Sequence, residues 1–237
     1  MNLILYDQSD LRGSSRVCLS GRRAQHVVNV HRAVPGYTLR VGQIGGGIGV
    51  GRVACIRADM VELDVEILEP PPVPLDISVI LAMPRPKCFR RVLSSIVTLG
   101  VKRLAIIGAY RVEKGYWESP CLLPEFLHEQ IVLALEQAMD TIPPNVTFHR
   151  HFKPFMEDDL PLLARGARRI AAHPAARAQV PASLPGPLMV AFGPEGGFTS
   201  YEAGKLEECE FELVSLGQRI LRVEQVVPFL LGRVMQA

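Results

Sequence analysis

Two glycine-bearing segments near the C-terminus contain the residues best suited to chemistry. Residues 193–197 (GPEGG) and 216–222 (LGQRILR) each follow a short apolar run, at 187–192 and 211–216 respectively. Glycine has no Cβ atom, so its backbone can turn sharply and approach a ligand closely. The N–H groups of such turns can donate hydrogen bonds to a carboxylate or to the ring nitrogens of a base. The pattern therefore predicts a small-molecule site built largely from main chain.

A few polar residues at these segments have a chemical interpretation of their own. Glu195 either orients the base or a ribose hydroxyl of a ligand, or holds together backbone amides of its own loop. Arg222 opens the last predicted helix, where the helix dipole disfavours a cation, and this position favours an anionic substrate nearby. Arg219 is interpreted as a surface residue. His173 precedes a proline and is interpreted as a structural histidine, with a general base as the alternative.

A strand before each segment and a helix after it would hold these residues in place. Thr199 and Glu202 have the spacing of a capping box, which sets the start of the first helix. From residue 77 onward, strand-like runs alternate with helical patterns, as expected for a mostly parallel sheet flanked by helices. The predicted strands are 77–83, 103–107, 146–148, 170–172, 188–192 and 211–214, and the predicted helices are 89–99, 122–139 and 222–236. Ligands of open α/β sheets bind beyond the carboxyl ends of the strands.

A proline-rich stretch at residues 69–74 (EPPPVP) divides the chain into two predicted domains. Proline continues neither a helix nor a central strand, and a run of prolines forms a stiff, extended connector. The boundary therefore separates a domain at 1–69 from a domain at 75–237, with residues 70–74 as the linker.

The first of these domains has the signals of a small β-barrel. Runs at 37–41, 48–56 and 60–68 have strand-like composition with partial alternation, and glycines punctuate them. The glycine cluster at 45–49 lacks the lysine and the serine or threonine of a phosphate-binding loop, and no helical pattern follows it. We therefore interpret the cluster as a barrel turn.

The charge of the chain is unevenly distributed. Residues 1–57 contain eight arginines, two acids and no lysine, a local net charge of +6, whereas the whole chain carries +2. The planar guanidinium of arginine suits contact with phosphates and stacking on bases. A basic patch on a compact module is typical of a nucleic-acid-binding domain. The alternative is a solvated surface that the rest of the fold balances.

The composition argues against several other classes of protein. The 237 residues are 48% hydrophobic, which disfavours disorder, yet no apolar run approaches the roughly 20 residues that cross a bilayer. No secretion signal is recognised, and the five scattered cysteines are interpreted as reduced thiols of a cytoplasmic protein. His149 and His151 share a strand face without further ligands, so no metal is predicted. Dinucleotide-binding, Walker and nucleophile-elbow motifs are also missing.

Taken together, residues 193–197 and 216–224 (LGQRILRVE) resemble the signature of the RsmE family, the 16S ribosomal RNA uridine-N3 methyltransferases of the SPOUT superfamily. The resemblance covers the whole chain, and the N-terminal module is similar to the PUA-like barrel of that family. Shorter family segments are matched by residues 99–101 (LGV), residues 136–137 (EQ), His26 and Arg32.

The resemblance implies an α/β fold with a SPOUT-type trefoil-knotted parallel-sheet domain, preceded by a small PUA-like β-barrel. It implies S-adenosylmethionine as cofactor, ribosomal RNA or a small-subunit particle as partner, and a homodimer, with no metal and no membrane. The residues implied to bind the cofactor are Ala172, His173, Phe192, Gly193, Gly196, Gly197, Leu216, Gly217, Ile220 and Leu221. Those expected to bind RNA are Arg22, Arg23, His26 and Arg32. Arg222 and Glu195 are implied to lie closest to the transferred methyl group, as the catalytic residues.

The chain departs from the family pattern near this site. Val223 and Gln225 stand where threonines are common, and Asn29 stands where the barrel usually has an arginine. The expected reaction is an in-line attack of uridine N3 on a sulfonium methyl group. Arg222 would stabilise negative charge on a neighbouring carbonyl oxygen, and Glu195 would orient or accept the proton. Two alternatives stay open: ribose 2′-O methylation of RNA, and an RNA-binding protein that has lost catalysis.

Overall fold

A computed structural model describes residues 2–235. The chain forms two compact units: an N-terminal unit of Met1–Val73 and Val132–Pro143, and a sheet unit of Pro74–Ile131 and Pro144–Ala237. Met1, Gln236 and Ala237, which belong to the predicted domains, lie outside the described residues, as does the end of the helix predicted at 222–236. The return of residues 132–143 to the N-terminal unit was not predicted from the proline-rich boundary.

The strands occupy both units. They are β1 (Ile4–Tyr6), β2 (Arg16–Ser20), β3 (Thr38–Gln43), β4 (Ile48–Arg57), β5 (Met60–Glu69), β6 (Leu75–Ala82), β7 (Val101–Ile107), β8 (Asn145–His149), β9 (Arg168–Ala172), β10 (Ala178–Gln179), β11 (Leu188–Phe192) and β12 (Glu212–Ser215).

The α-helices are α1 (Gly21–Asn29), α2 (Pro86–Thr98), α3 (Pro124–Ala138), α4 (Phe152–Pro154), α5 (Leu160–Leu163), α6 (Ser200–Glu208) and α7 (Val223–Val234). A π-helical turn at Phe155–Asp159 joins α4 to α5, and short 3₁₀ turns lie at Gln8–Asp10, Lys114–Glu118 and Pro120–Leu122. Within residues 2–235, no helix combines the length and the apolar character that a membrane crossing requires.

The N-terminal unit is built on a mixed five-stranded sheet in the order β1-β3-β4-β5-β2. β1 pairs with β3 in parallel, and the other neighbours pair antiparallel. Val17 and Leu19 of β2 lie opposite Leu63 and Val61 of β5, and all four side chains are buried. Alternate side chains therefore face a single core, as the pleat of a strand requires. The sequence prediction located β3, β4 and β5 but missed β1, β2 and α1.

The sheet unit contains a seven-stranded sheet in the order β10-β12-β9-β11-β6-β7-β8, and every neighbouring pair is parallel. The prediction of a mostly parallel α/β sheet is thereby confirmed. β11 lies at its centre, and all five of its residues are buried. This explains its unbroken apolar sequence, because a central parallel strand is covered on both faces.

Candidate functional site

The ends of three neighbouring strands form the framework of the candidate site. In the parallel register Phe192 of β11 pairs with Ala172 of β9, and Ala172 pairs with Val214 of β12. Because the strands are parallel, their carboxyl ends meet at one edge of the sheet, where ligands of open α/β sheets bind. The two glycine-bearing segments leave β11 and β12 at this edge. A cavity of about 550 Å³ lies between them.

The structure places every residue predicted for cofactor binding or catalysis on the lining of this one cavity. From β9 and β11 come Ala172, His173, Phe192, Gly193, Glu195, Gly196 and Gly197, and from the second segment come Leu216, Gly217, Ile220, Leu221 and Arg222. The cavity is also lined by residues that were not predicted from the sequence, namely Pro174, Pro194, Val214, Val223 and Val226. Arg219, interpreted as a surface residue, is exposed and also lines the cavity.

The first segment is a tight turn whose shape depends on glycine. Gly197 has a φ of +73°, in the left-handed region that residues with a Cβ rarely adopt. Its N–H donates to the carbonyl oxygen of Pro194 at 2.7 Å and closes the turn. The predicted capping box is present: Thr199 Oγ1 accepts from the Glu202 N–H at 3.2 Å, and the Glu202 carboxylate accepts from the Thr199 N–H at 2.8 Å. α6 therefore starts directly after the turn and holds it in place.

Glu195 has a structural partner. One oxygen of its carboxylate accepts the backbone N–H of Arg85 at 2.8 Å. Arg85 is the N-cap residue of α2, so Glu195 joins the GPEGG turn to the start of another helix. The structural interpretation of Glu195 predicts backbone amides of its own turn as hydrogen-bond donors. The donor that the structure shows instead lies 110 positions away in the chain. Arg111 holds the same turn from another side, because its guanidinium donates to the Gly196 carbonyl.

The second segment presents apolar and cationic side chains beside the cavity. Gly217 has a φ of +115°, and its N–H donates to Ser215 Oγ at 3.2 Å. Ile220 is 82% exposed and lines the cavity, so its aliphatic surface is accessible to a bound ligand.

Arg222 is the N-cap residue of α7 and is exposed at the cavity. Its N–H donates to Gln225 Oε1 at 3.2 Å. Gln225 thus satisfies one of the N–H groups that the first turn of a helix leaves without an intrahelical partner. The presence of glutamine where threonine is common therefore has a local structural role. Glu224 Oε1, in the same turn, accepts from the Arg91 guanidinium of α2 at 3.2 Å.

The surroundings of His173 support its interpretation as a structural histidine. Its N–H donates to the Val214 carbonyl at 3.0 Å, and its ring Nδ1 accepts from the Ala175 N–H at 3.3 Å. Both contacts are local to the end of β9 and orient the chain beneath the cavity. Among residues 2–235, no group of three or more His, Cys, Asp or Glu side chains is placed to hold a metal ion.

The four residues expected to bind RNA lie in the N-terminal unit in different environments. The Arg23 guanidinium bonds both carboxylate oxygens of Asp10, at 2.5 and 2.8 Å, and so has a structural partner. The ring of His26 packs edge-on against His31, 5.0 Å between centroids, and burial lowers the pKa of His26 and favours its neutral form. Arg32 is exposed and adopts a left-handed φ of 52°.

Arg22 bonds a buried carboxylate. Its Nη2 lies 2.9 Å from Glu136 Oε2, and Glu136 is fully buried. The Leu5 N–H also donates to this carboxylate, at 3.4 Å, and the Leu3 N–H donates to the Glu136 carbonyl at 3.1 Å. Burial raises the pKa of Glu136, although the positive charge of Arg22 opposes that shift. Glu136 therefore ties the last turns of α3 to β1 and to α1 within the N-terminal unit.

Known proteins resemble the chain in both sequence and fold. A family described as an RNA methyltransferase domain matches residues 71–235. The ribosomal RNA small subunit methyltransferase E of Treponema pallidum is 25% identical over 230 residues, which cover 94% of this chain and 86% of that protein. The crystal structure of a ribosomal RNA small subunit methyltransferase E from Neisseria gonorrhoeae, bound to S-adenosyl methionine, has a TM-score of 0.77 at 20% identity and covers 98% of this chain and 95% of its own. A Legionella pneumophila protein in complex with the cofactor SAM has a TM-score of 0.75 at 21% identity, covering 97% and 95%.

Proposed function

Because the chain belongs to the RNA methyltransferase family whose pattern spans residues 71–235, we propose that it transfers a methyl group from S-adenosylmethionine to N3 of a uridine in 16S ribosomal RNA. The predicted resemblance to the RsmE family and the predicted SPOUT-type fold are confirmed. One observation carries the proposal for the site: two segments that start 23 positions apart, 193–197 and 216–222, converge on one cavity. One glycine of each segment, Gly197 and Gly217, has a positive φ that residues with a Cβ rarely adopt.

The residues at this cavity fit a nucleoside cofactor. A volume of about 550 Å³ is within the usual range of small-molecule sites, roughly 300–1,000 Å³. Leu216, Ile220 and Leu221 supply apolar surface for an adenine ring, and the turn at 193–197 supplies main-chain N–H groups. When bound, the cofactor supplies an electrophilic methyl group on a sulfonium. The protein then has to align that group with the attacking nitrogen and exclude water.

Arg222 is the residue that we propose to act on the RNA base. Uridine N3 becomes nucleophilic when its proton passes to solvent, and the negative charge then spreads to the flanking carbonyl oxygens. A guanidinium placed beside the cavity stabilises that charge, which is the electrostatic form of catalysis. Glu195 serves as a positioning residue in this proposal, because its carboxylate accepts the Arg85 N–H and holds the turn against the start of α2.

The modified atom tests the proposed function. Full-length protein, S-adenosylmethionine carrying a labelled methyl group, and 16S RNA either naked or in small-subunit particles would be incubated, and the digested nucleosides identified by mass spectrometry. We expect label on the base of a uridine, at N3. Label on a ribose 2′ oxygen would replace the proposal with the other SPOUT-type activity. RNA binding without any labelled nucleoside, and without heat on titration with the cofactor, would identify a non-catalytic RNA-binding protein.

We also propose a homodimer that works on ribosomal RNA in the cytoplasm. The family resemblance supports the dimer, and the scattered reduced cysteines support the compartment. Light scattering coupled to size-exclusion chromatography measures the mass directly. A single species at 26.1 kDa, the mass of one chain, would contradict the dimer.

A further inference from the structure

A second cavity, of about 740 Å³, lies in the sheet unit apart from the proposed cofactor cavity. It is lined by the residues that follow β7, by those that follow β8, and by the first residues of α6. β7 and β8 are parallel neighbours, so this cavity also lies beyond the carboxyl ends of strands. We refer to it as the β7–β8 cavity.

The floor of the β7–β8 cavity is held in a defined shape. The Gly108 N–H donates to the His149 carbonyl at 2.7 Å, and a Cβ atom on Gly108 would lie 2.0 Å from the Arg150 carbonyl oxygen. Only glycine allows the ends of β7 and β8 to come this close. The Tyr110 N–H donates to Glu202 Oε1 at 2.6 Å, and Glu202 is 2% exposed. The segment after β7 is therefore tied to the start of α6.

The rim of the cavity presents aromatic rings to solvent. Tyr110 is 85% exposed and Tyr201 is 59% exposed, and Phe152 forms buried lining between the strand ends and α6. Neither tyrosine contributes to the core, so packing does not explain them. Exposed aromatic rings beside a cavity are suited to stacking on the flat face of a nucleobase.

The charges at the same rim favour an anionic ligand. Arg150 lies over the ring of Trp117, with its guanidinium carbon 5.9 Å from the ring centroid, and Lys153 is 64% exposed. Lys153 has one acidic neighbour, Glu157, at 3.9 Å. The one carboxylate in the lining, that of Glu202, accepts from the Tyr110 and Thr199 N–H groups and is removed from solvent. The accessible charge is therefore positive.

Short stretches of chain connect the lining of the β7–β8 cavity to that of the proposed cofactor cavity. Arg111 follows Tyr110 in the chain, and its guanidinium donates to the carbonyl of Gly196, which lines the cofactor cavity. Gly196 of the cofactor cavity and Thr199 of the β7–β8 cavity are three positions apart, a span of at most roughly 11 Å. That distance is short enough for a polymer with one residue at the first cavity to place a neighbouring residue at the second.

We propose that the β7–β8 cavity binds a nucleotide of the substrate RNA that flanks the target uridine. The base stacks on Tyr110 or Tyr201, and its phosphates contact Arg150 and Lys153. This inference rests on the proposed function for the identity of the RNA, and it adds a docking position on the sheet unit. Stacking on aromatic side chains is the usual way in which proteins hold an unpaired base.

RNA affinity, measured without cofactor, tests this site independently of methyl transfer. The probes are a full-length 16S RNA transcript and small-subunit particles, titrated with the full-length protein. Tyr110→Ala and Tyr201→Ala are expected to weaken binding by roughly 5- to 100-fold, the range found for loss of one stacked base. Tyr110→Phe and Tyr201→Phe keep the ring and should bind as the unmodified protein does. Arg150→Ala and Lys153→Ala should each lower the slope of log affinity against log salt by about 0.7.

Leu162→Ala is the matched control, since Leu162 is a large exposed side chain, at 64%, outside both cavities. It should leave RNA affinity unchanged. Wild-type RNA affinity in both tyrosine-to-alanine variants would overturn the inference, whether or not the oligomeric state of those variants changes. Weakened RNA binding in these variants, with no uridine N3 methylation by the unmodified protein, would reject the proposed function and leave the RNA site standing.

Discussion

At the scale of single residues, two of the charged side chains at the candidate site, Glu195 and Arg222, differ in their contacts. One carboxylate oxygen of Glu195 accepts the backbone N–H of Arg85. Arg222 is exposed at the cavity, and its backbone bonds the first turn of α7, with its N–H donating to Gln225 Oε1 and its carbonyl accepting from the Gln225 and Val226 N–H groups. A hydrogen-bonded carboxylate beside a turn stabilises its geometry, and an exposed guanidinium is available to a substrate. This difference supports the proposed division of roles, in which Glu195 positions the turn and Arg222 acts on the base.

Arg222→Ala should reduce turnover while leaving cofactor affinity nearly unchanged. Loss of one preorganised electrostatic contact typically lowers kcat by about 10²- to 10³-fold. The change is measured as kcat for methyl transfer, and cofactor affinity is measured by calorimetric titration. Arg219→Ala is the matched control, because Arg219 lines the same cavity and is exposed but has no assigned role in the reaction. Equal loss of turnover and of cofactor affinity in Arg222→Ala would contradict the proposed role.

At the scale of elements, the start of α6 determines the shape of the GPEGG turn. Glu202 combines two tasks, since its carboxylate completes the capping box with Thr199 and also accepts the Tyr110 N–H. One buried carboxylate therefore joins the helix start, which directly follows the GPEGG turn, to the segment after β7. The arrangement explains how a short turn with several glycines is kept in one conformation.

Thr199→Val should destabilise the protein by about 1 kcal/mol, because it removes the side-chain oxygen that accepts the Glu202 N–H. For a chain of this size that corresponds to a fall in Tm of roughly 2–4 °C. Thermal unfolding followed by circular dichroism measures the effect. Ser200→Ala, at the exposed first position of the same helix, is the control and should unfold near the wild-type temperature. An unchanged Tm in Thr199→Val would show that the cap is unimportant.

At the scale of the whole molecule, the N-terminal unit is discontinuous in sequence. Residues 132–143 rejoin it, and the buried Glu136 makes the contacts that secure them, to Arg22 and to the backbone of Leu3 and Leu5. A single side chain thus holds together pieces of the chain separated by more than 100 positions. Such a contact links the stability of this unit to pH.

The stability contributed by Glu136 should decrease as pH rises. Burial raises its folded-state pKa above the ordinary value of 4.5, so between those two pKa values the folded protein binds more protons than the unfolded chain. The free energy of unfolding then falls as pH rises through that window. The stabilisation contributed by Glu136 is fully present below pH 4.5.

Glu136→Gln removes this titration and checks the sign. Urea unfolding at several pH values should show that the wild-type protein loses stability relative to the variant as pH rises above 4.5. Glu129→Gln, at an exposed position of the same helix, should run parallel to the wild type. A difference between wild type and Glu136→Gln that grows in the opposite direction would contradict the raised pKa.

The sequence alone determined the features that depend on neighbouring residues. Apolar runs of strand length predicted β6, β7, β11 and β12, and glycine content predicted the two turns, because strand burial and left-handed backbone leave local marks in composition. The capping box at the start of α6 was predictable for the same reason. β1, β2 and α1 were missed because they are short, at three, five and nine residues, so each offers too few positions for its pattern to stand out from the surrounding sequence.

Tertiary structure alone decided which distant residues meet. The partner of Glu195, the return of residues 132–143, the bond between Arg23 and Asp10 and the β7–β8 cavity all depend on contacts between segments that are remote in sequence. Such contacts follow from strand order and register, which a linear pattern does not encode residue by residue. The sequence therefore predicted the two glycine-bearing turns, whereas the fold determined what holds them and what lies beside them.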